Sequence, residues 1–168
     1  MKLIFRLIWK IIGWKIVGDV PKDRKKYLII VAPHTTNWDF IIGVLVRGIM
    51  GFNSKFLGKK SLFVGPLGWF FRAMGGYPVD RSKSTNLVDQ VVEYYEKHDD
   101  FVLALAPEGT RKEVDKWKTG FYYIAHNSGV PIVRSKIDHS TKQVIFYDPF
   151  FTTGDIEVDL PKIKQVYS

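Results

Sequence analysis

Hydrophobic residues in this chain fall into two kinds of run, short continuous ones and longer ones at helical spacing. Residues 27–32 (YLIIVA) and 101–106 (FVLALA) are continuous and rich in β-formers. Each ends at a proline, which marks a strand buried on both faces. Residues 131–136 and 143–147 read as further strands, and residues 55–57 and 77–79 as short ones. Thr85–Lys97 carries apolar side chains at 87, 88, 91, 92 and 95, the spacing of an amphipathic helix. Trp38–Met50, residues 66–74 and residues 121–127 also read as helices, the last two stopped by Gly75-Gly76 and Ser128-Gly129. Asp159-Leu160-Pro161 reads as another helix start. Strand alternating with helix predicts an α/β fold, a single domain with a mixed, largely parallel sheet flanked by helices. In such sheets ligands bind beyond the carboxyl ends of the strands.

The first eighteen residues (MKLIFRLIWKIIGWKIVG) follow a different pattern. Lys2, Arg6 and Lys10 recur every four residues and form one stripe of a helix that the pattern carries to Gly18; Lys15 falls off the stripe, with a stem long enough to snorkel. A broad apolar face with Trp and basic residues predicts an amphipathic helix lying in a membrane interface. The alternative is a helix packed on the protein's own core. A spanning helix needs ~20 mainly apolar residues, and three charges interrupt the first ten here. No small-residue cleavage signal follows, so a secretory leader is not expected. Residues 21–26 are the one plausible boundary, which gives a basic segment over 1–26 and a body over 27–168. Charge sharpens this division. The net charge is +8, and residues 1–26 hold eight basic against two acidic side chains, so the body is nearly balanced. The basic residues interleave with bulky aliphatics, which suits anionic lipid rather than nucleic acid. The expected location is peripheral or monotopic, on the cytoplasmic face of the cell membrane. With 168 residues the chain can bury one self-supporting core. It has no Cys, which removes disulfides, thiolate metal sites and a cysteine nucleophile together.

Two clusters directly follow the prolines that close the buried strands. His34 comes at the end of strand 27–32, and Asp39 lies five residues on, in the first turn of the next helix. A strand-to-helix turn can fold that carboxylate onto the imidazole, fixing its tautomer and stabilising the imidazolium. Asn37 or Thr36 can cap the helix. After strand 101–106 and Pro107 comes Glu108-Gly109-Thr110-Arg111. Arg111 can fork onto a phosphate, Gly109 lets backbone N–H groups approach an anion, and Thr110 adds a hydroxyl. Glu108 can orient Arg111 or accept from a substrate hydroxyl. Taken alone, the His34 and Asp39 pair is more often a loop histidine near a helix N-terminus than a site, and the Glu108 to Arg111 match is weak. Together, in a parallel sheet, they open on one edge and pair a general base with an anion clamp. The other histidines, His98, His126 and His139, are scattered and read as structural or solvent-exposed, so no metal site is expected. Lys59 and Lys60 precede an uncharged aromatic-rich run over residues 61–71. That run reads either as an acyl-chain groove with a basic rim or as a core helix.

These residues resemble the lysophospholipid acyltransferases, the group that includes 1-acylglycerol-3-phosphate acyltransferase. The likeness spans most of residues 27–136. Its motifs are H-x-x-x-x-D at His34 and Asp39, a glycine and Arg-bearing strand from Gly75 to Arg81, P-E-G-T-R from Pro107 to Arg111, and V-P-I-V from Val130 to Val133. The resemblance implies that His34 deprotonates the acceptor hydroxyl and Asp39 orients it. It implies that Arg81, Glu108, Gly109, Thr110 and Arg111 hold the acceptor's phosphate or polar head. It also implies a thioester of coenzyme A or acyl carrier protein as donor, a lysophospholipid as acceptor, and no other cofactor. The chain is short for this group, which implies a further terminal helix. Direct attack on a thioester needs a base and no covalent intermediate. The sequence is consistent with that, having neither Cys nor a G-x-S-x-G elbow. Other acceptors (glycerol phosphate, an amino-acid lipid, or water in a thioesterase) remain open alternatives. So does a non-enzymatic protein that binds anionic lipid.

Overall fold

Leu28, Ile29 and Ile30 are buried in succession, as a continuous apolar strand requires when both its faces are covered. They belong to β2 (Lys26–Ala32), the middle strand of a seven-stranded sheet. The structure is a computed structural model that describes residues 2–34, 36, 38–79, 85–109 and 116–167. In chain order the elements are α1 (Lys2–Ile12), β1 (Lys15–Val17), β2, α2 (Trp38–Met50), β3 (Ser54–Lys59), a 3-10 turn (Lys60–Phe63), α3 (Gly65–Ala73) and β4 (Gly76–Val79). They continue with α4 (Thr85–Lys97), β5 (Phe101–Leu105), α5 (Gly120–Asn127), β6 (Ile132–Asp138), β7 (Gln143–Phe146), α6 (Ile156–Lys164) and a closing 3-10 turn (Gln165–Tyr167). The strand order is β1-β7-β6-β2-β5-β3-β4, and every pair is parallel except β6–β7.

The period-2 alternation of the strands divides the core between two faces. Leu28, Ile30, Phe101, Leu103 and Ile132 pack against Val91 and Tyr95 of α4, Phe121, Tyr122 and Ile124 of α5, and Ile163 of α6. Tyr27, Ile29, Val102 and Val133 face the other way, onto Trp9 of α1 and Ile42, Leu45 and Val46 of α2. The layered α/β architecture is the one predicted from the alternating runs.

Two expectations are corrected. The N-terminal helix does not run to Gly18. It stops at Ile12, because Gly13 adopts φ +71°, a conformation glycine takes freely and that no helix continues through. Lys15–Val17 then forms β1, parallel to β7 at the sheet edge. Lys15 falls off the basic stripe because it is not in the helix. The last helix does not start at Asp159 but at Ile156. Asp155 caps it, its Oδ1 accepting from the N–H groups of Glu157 (3.0 Å) and Val158 (3.3 Å). Asp159 is left facing the core, fully buried.

One face of α1 packs on the protein's own core. Trp9 is buried and Phe5 packs beside Gly48 of α2. Leu3, Ile4, Leu7 and Ile11 nonetheless remain exposed, Leu3 at 80% and Ile11 at 75%. Among the described residues no helix is long and apolar enough to cross a membrane.

Candidate active site

The register of β2 and β5 brings the two sequence clusters together. Ile30 pairs with Leu105, so the residues after each strand leave the same sheet edge side by side. The backbone N–H of His34 donates to Glu108 Oε2 at 2.9 Å, a direct link across 74 positions of sequence. Glu108 therefore braces the loop that carries His34. Gly109 follows with φ +66°, a conformation that favours glycine, and the flexible end of the Lys118 side chain lies where a Cβ would stand. Arg81, Thr110 and Arg111, expected to bind the acceptor's phosphate, lie outside the described residues, as does Asn37.

Asp39 sits in the first turn of α2 with its side chain 1% exposed. A buried carboxylate needs donors on its lone pairs. Oδ2 lies 3.1 Å from His34 Nδ1 and accepts from the Thr36 N–H at 2.8 Å. Oδ1 accepts from the Thr36 hydroxyl at 3.0 Å and lies 2.8 Å from His139 Nε2. Burial alone pushes the Asp39 carboxyl up. The Thr36 N–H, the His139 imidazole, the Thr36 hydroxyl and His34 together outweigh it and hold the group below its ordinary value. Asp39 is thus ionised near neutrality. An ionised Asp39 keeps the proton of His34 on Nδ1 and leaves Nε2 as the basic nitrogen.

His34 and Asp39 line an apolar cavity of about 210 Å³ between α2 and the sheet. Phe40, Gly43, Val44 and Arg47 line it from α2, at the i, i+3, i+4, i+7 spacing of one helical face. From Asp39 to Arg47 the helix rises ~12 Å, and Arg47 lines the cavity at that distance. Its Nη1 donates to the carbonyls of Ser54 and Met74, both at 3.0 Å. Lys55 also lines the cavity, its amine pushed down by burial and then by the charge of Arg47. The cavity is not formed by residues 61–71. Phe63 of that run packs on Phe71, while Trp69 and Phe70 are exposed.

The sequence reading missed His139. Its spacing resembles that of His98 and His126, which do serve structure: His98 bonds Tyr77 and the Tyr94 carbonyl, and His126 bonds Thr152. His139 differs because it follows the carboxyl end of β6, the strand beside β2. The rule that picks out His34 and Glu108 also picks out His139.

The arrangement can therefore hold an apolar chain with its head at a tethered imidazole. Comparison with known proteins agrees in kind. Residues 15–135 match the Acyltransferase family. The chain is 30% identical over 141 residues to the 1-acyl-sn-glycerol-3-phosphate acyltransferase of Streptococcus pneumoniae, covering 78% of this chain and 50% of that protein. It is 30% identical over 138 residues to the enzyme of the same name from Saccharomyces cerevisiae, covering 77% and 44%. The chain spans about half the length of these curated relatives. The crystal structure of the 1-acyl-sn-glycerophosphate (LPA) acyltransferase from Thermotoga maritima superposes with a TM-score of 0.67, covering 98% of this chain and 74% of that one. At 18% identity that likeness is one of fold. The extent of the match and the motif order over residues 34–133 make the chain a member of the 1-acylglycerol-3-phosphate acyltransferase-like family of acyltransferases.

Proposed function

We propose that the protein transfers a fatty acyl group from a thioester, of coenzyme A or acyl carrier protein, to the free hydroxyl of a lysophospholipid such as 1-acylglycerol-3-phosphate. The observation that carries this reading is the His34 imidazole, tethered through Nδ1 to a buried carboxylate, in the lining of an apolar cavity. The carbonyl-proximal part of the donor's acyl chain lies in that cavity, with its carbonyl beside His34. Nε2 takes the proton of the acceptor hydroxyl as its oxygen attacks the thioester carbonyl. The tetrahedral intermediate collapses with cleavage of the C–S bond, and Nε2–H returns the proton to the departing thiolate. Asp39 stabilises the imidazolium between these two transfers. Arg81 and Arg111, with Thr110 and Gly109, hold the phosphate of the acceptor, since guanidinium forks match phosphate oxygens. Glu108 keeps the His34 loop beside that clamp. The exposed apolar side of α1 docks at the bilayer, on its cytoplasmic face, with Lys2, Arg6 and Lys10 directed to anionic headgroups.

The test is thiol release from palmitoyl-coenzyme A or the matching acyl carrier protein thioester, with and without 1-acylglycerol-3-phosphate. Release that requires the acceptor, with phosphatidic acid as product, is expected. Release of equal rate without acceptor would make the protein a thioesterase and overturn the reading.

The cavity makes a second prediction. Gly43 lines the cavity and has open space where a Cβ would stand, so Gly43→Leu starts its side chain in unfilled space. Each donor methylene kept out of the cavity loses about 0.8 kcal/mol. Two or three of them lower kcat/KM for palmitoyl donors by about tenfold to fiftyfold, while butanoyl donors, too short to pass Gly43, are unaffected. Equal losses for both chain lengths would remove the cavity from the acyl path.

A further inference from the structure

Asp39 holds two imidazoles, and the reaction as written uses one. Only His34 of the two lines the apolar cavity, so His139 is not placed to meet the reacting atoms. We propose that His139 is a positioning residue: its Nε2–H donates to Asp39 Oδ1, locks the carboxylate plane, and thereby holds Oδ2 on His34 Nδ1. The inference rests on the reading of His34 as the base.

The argument is one of torsion. The χ2 of an aspartate is a broad, two-fold torsion that the rotamer does not fix. A carboxylate that must present one oxygen to a catalytic ring is oriented by what grips the other. Here Oδ1 is gripped at 3.0 Å by the Thr36 hydroxyl, which rotates, and at 2.8 Å by His139, which does not. The His139 ring is held in turn. It packs edge-on against Trp14, centroids 5.4 Å apart. It also sits in a turn that Asp138 pins by accepting from the N–H groups of Ser140 (2.9 Å) and Thr141 (3.1 Å) and from the Ser140 hydroxyl (2.6 Å). Trp14 lies between α1 and β1. The brace on Asp39 therefore begins where the N-terminal helix joins the sheet. A ring on this brace contributes to catalysis by geometry alone, because small displacements of a catalytic group from its productive position are costly in rate.

The experiment compares wild type, His139→Phe, His139→Gln and His34→Ala in the acceptor-dependent assay. Folding of each is checked by thermal unfolding. Phe keeps a ring against Trp14 and removes the donor. Gln restores an N–H at similar reach. His139→Phe is expected to lose about tenfold in kcat with KM for donor and acceptor within about twofold, and His139→Gln to recover at least a third of wild-type kcat. Wild-type kcat in His139→Phe would overturn the proposal. So would equal losses in Phe and Gln, or a loss confined to KM. Should His139→Phe not fold, His139→Met serves as the donorless variant under the same criteria. His34→Ala separates the two claims. If it retains turnover, the base assignment itself fails. If it is silent while His139→Phe is fully active, only the positioning role fails.

Discussion

Replacing His34 by alanine is expected to lower kcat by about 10²–10⁴-fold, the range that a positioned general base contributes, with Tm within about 2 °C of wild type. Among the described residues no other imidazole lines the apolar cavity, so no second imidazole stands ready for the proton transfer. The loss falls on kcat. KM for the donor is kept, because the cavity that holds the acyl chain is walled by α2 and the sheet and does not depend on the ring. The fold is kept because His34 is partly exposed and Asp39 retains Thr36 and His139 as donors. Asp39→Asn acts on the same proton by another route. An amide can offer N–H where the carboxylate accepted, which favours the tautomer with the proton on Nε2 and leaves no basic nitrogen for the acceptor. Its kcat is expected to fall to within about tenfold of the His34→Ala value. A His34→Ala enzyme within tenfold of wild type would mean that the acceptor is activated elsewhere, and the proposed mechanism would be abandoned.

What the sequence discloses of this site follows from how local each signal is. Trp38–Met50 and Thr85–Lys97 are read to the residue because their periodicity lies within the segment itself. Strands 27–32 and 101–106 are legible because burial on both faces leaves a continuous apolar run. The contact between His34 and Glu108 is also legible in outline: two parallel buried strands ending in proline must deliver their next residues to one edge. By contrast β1 owes its existence to β7, about 130 positions away, and nothing inside Lys15–Val17 distinguishes a strand from the end of an apolar helix. The true cap of α6 was masked because Asp155 and Asp159 stand one turn apart and either can serve. The apolar cavity arises from where α2 rides over the sheet, a distance that the residues of α2 do not encode by themselves. His139 was overlooked for a correctable reason. Its spacing to the other histidines carries no signal, whereas its position directly after β6, beside the central strand, does.

Asp159→Ala is expected to cost about 3 kcal/mol of stability and to lower Tm by about 6–12 °C. Asp159 is fully buried, and its Oδ2 accepts from the Tyr122 hydroxyl (2.8 Å), the Thr153 N–H (2.6 Å) and the Thr153 hydroxyl (3.0 Å). These bonds tie α6 to α5 and to the loop after β7. Removing the carboxylate strands the Tyr122 phenol, itself fully buried, and the Thr153 donors without an acceptor. Losing the partner of a buried charged hydrogen bond costs more than the bond is worth when made. Asp159→Asn keeps the volume and one acceptor oxygen, and is expected to lose about half as much. The pH dependence supplies an independent check. Burial raises the Asp159 carboxyl, but the Thr153 N–H, the Tyr122 and Thr153 hydroxyls and the charge of Lys162 outweigh it, leaving the group below its ordinary value of 3.8. A carboxyl depressed in the folded state adds stability that is fully present above the unfolded value. That stability is lost as pH falls through the folded one. The gap in urea-unfolding free energy between wild type and Asp159→Asn should accordingly be constant from neutrality to about pH 5 and close as pH drops below about 4. A gap of under 1 kcal/mol at pH 7, or one that widens in acid, would show that the carboxylate is not what holds α6 against the core.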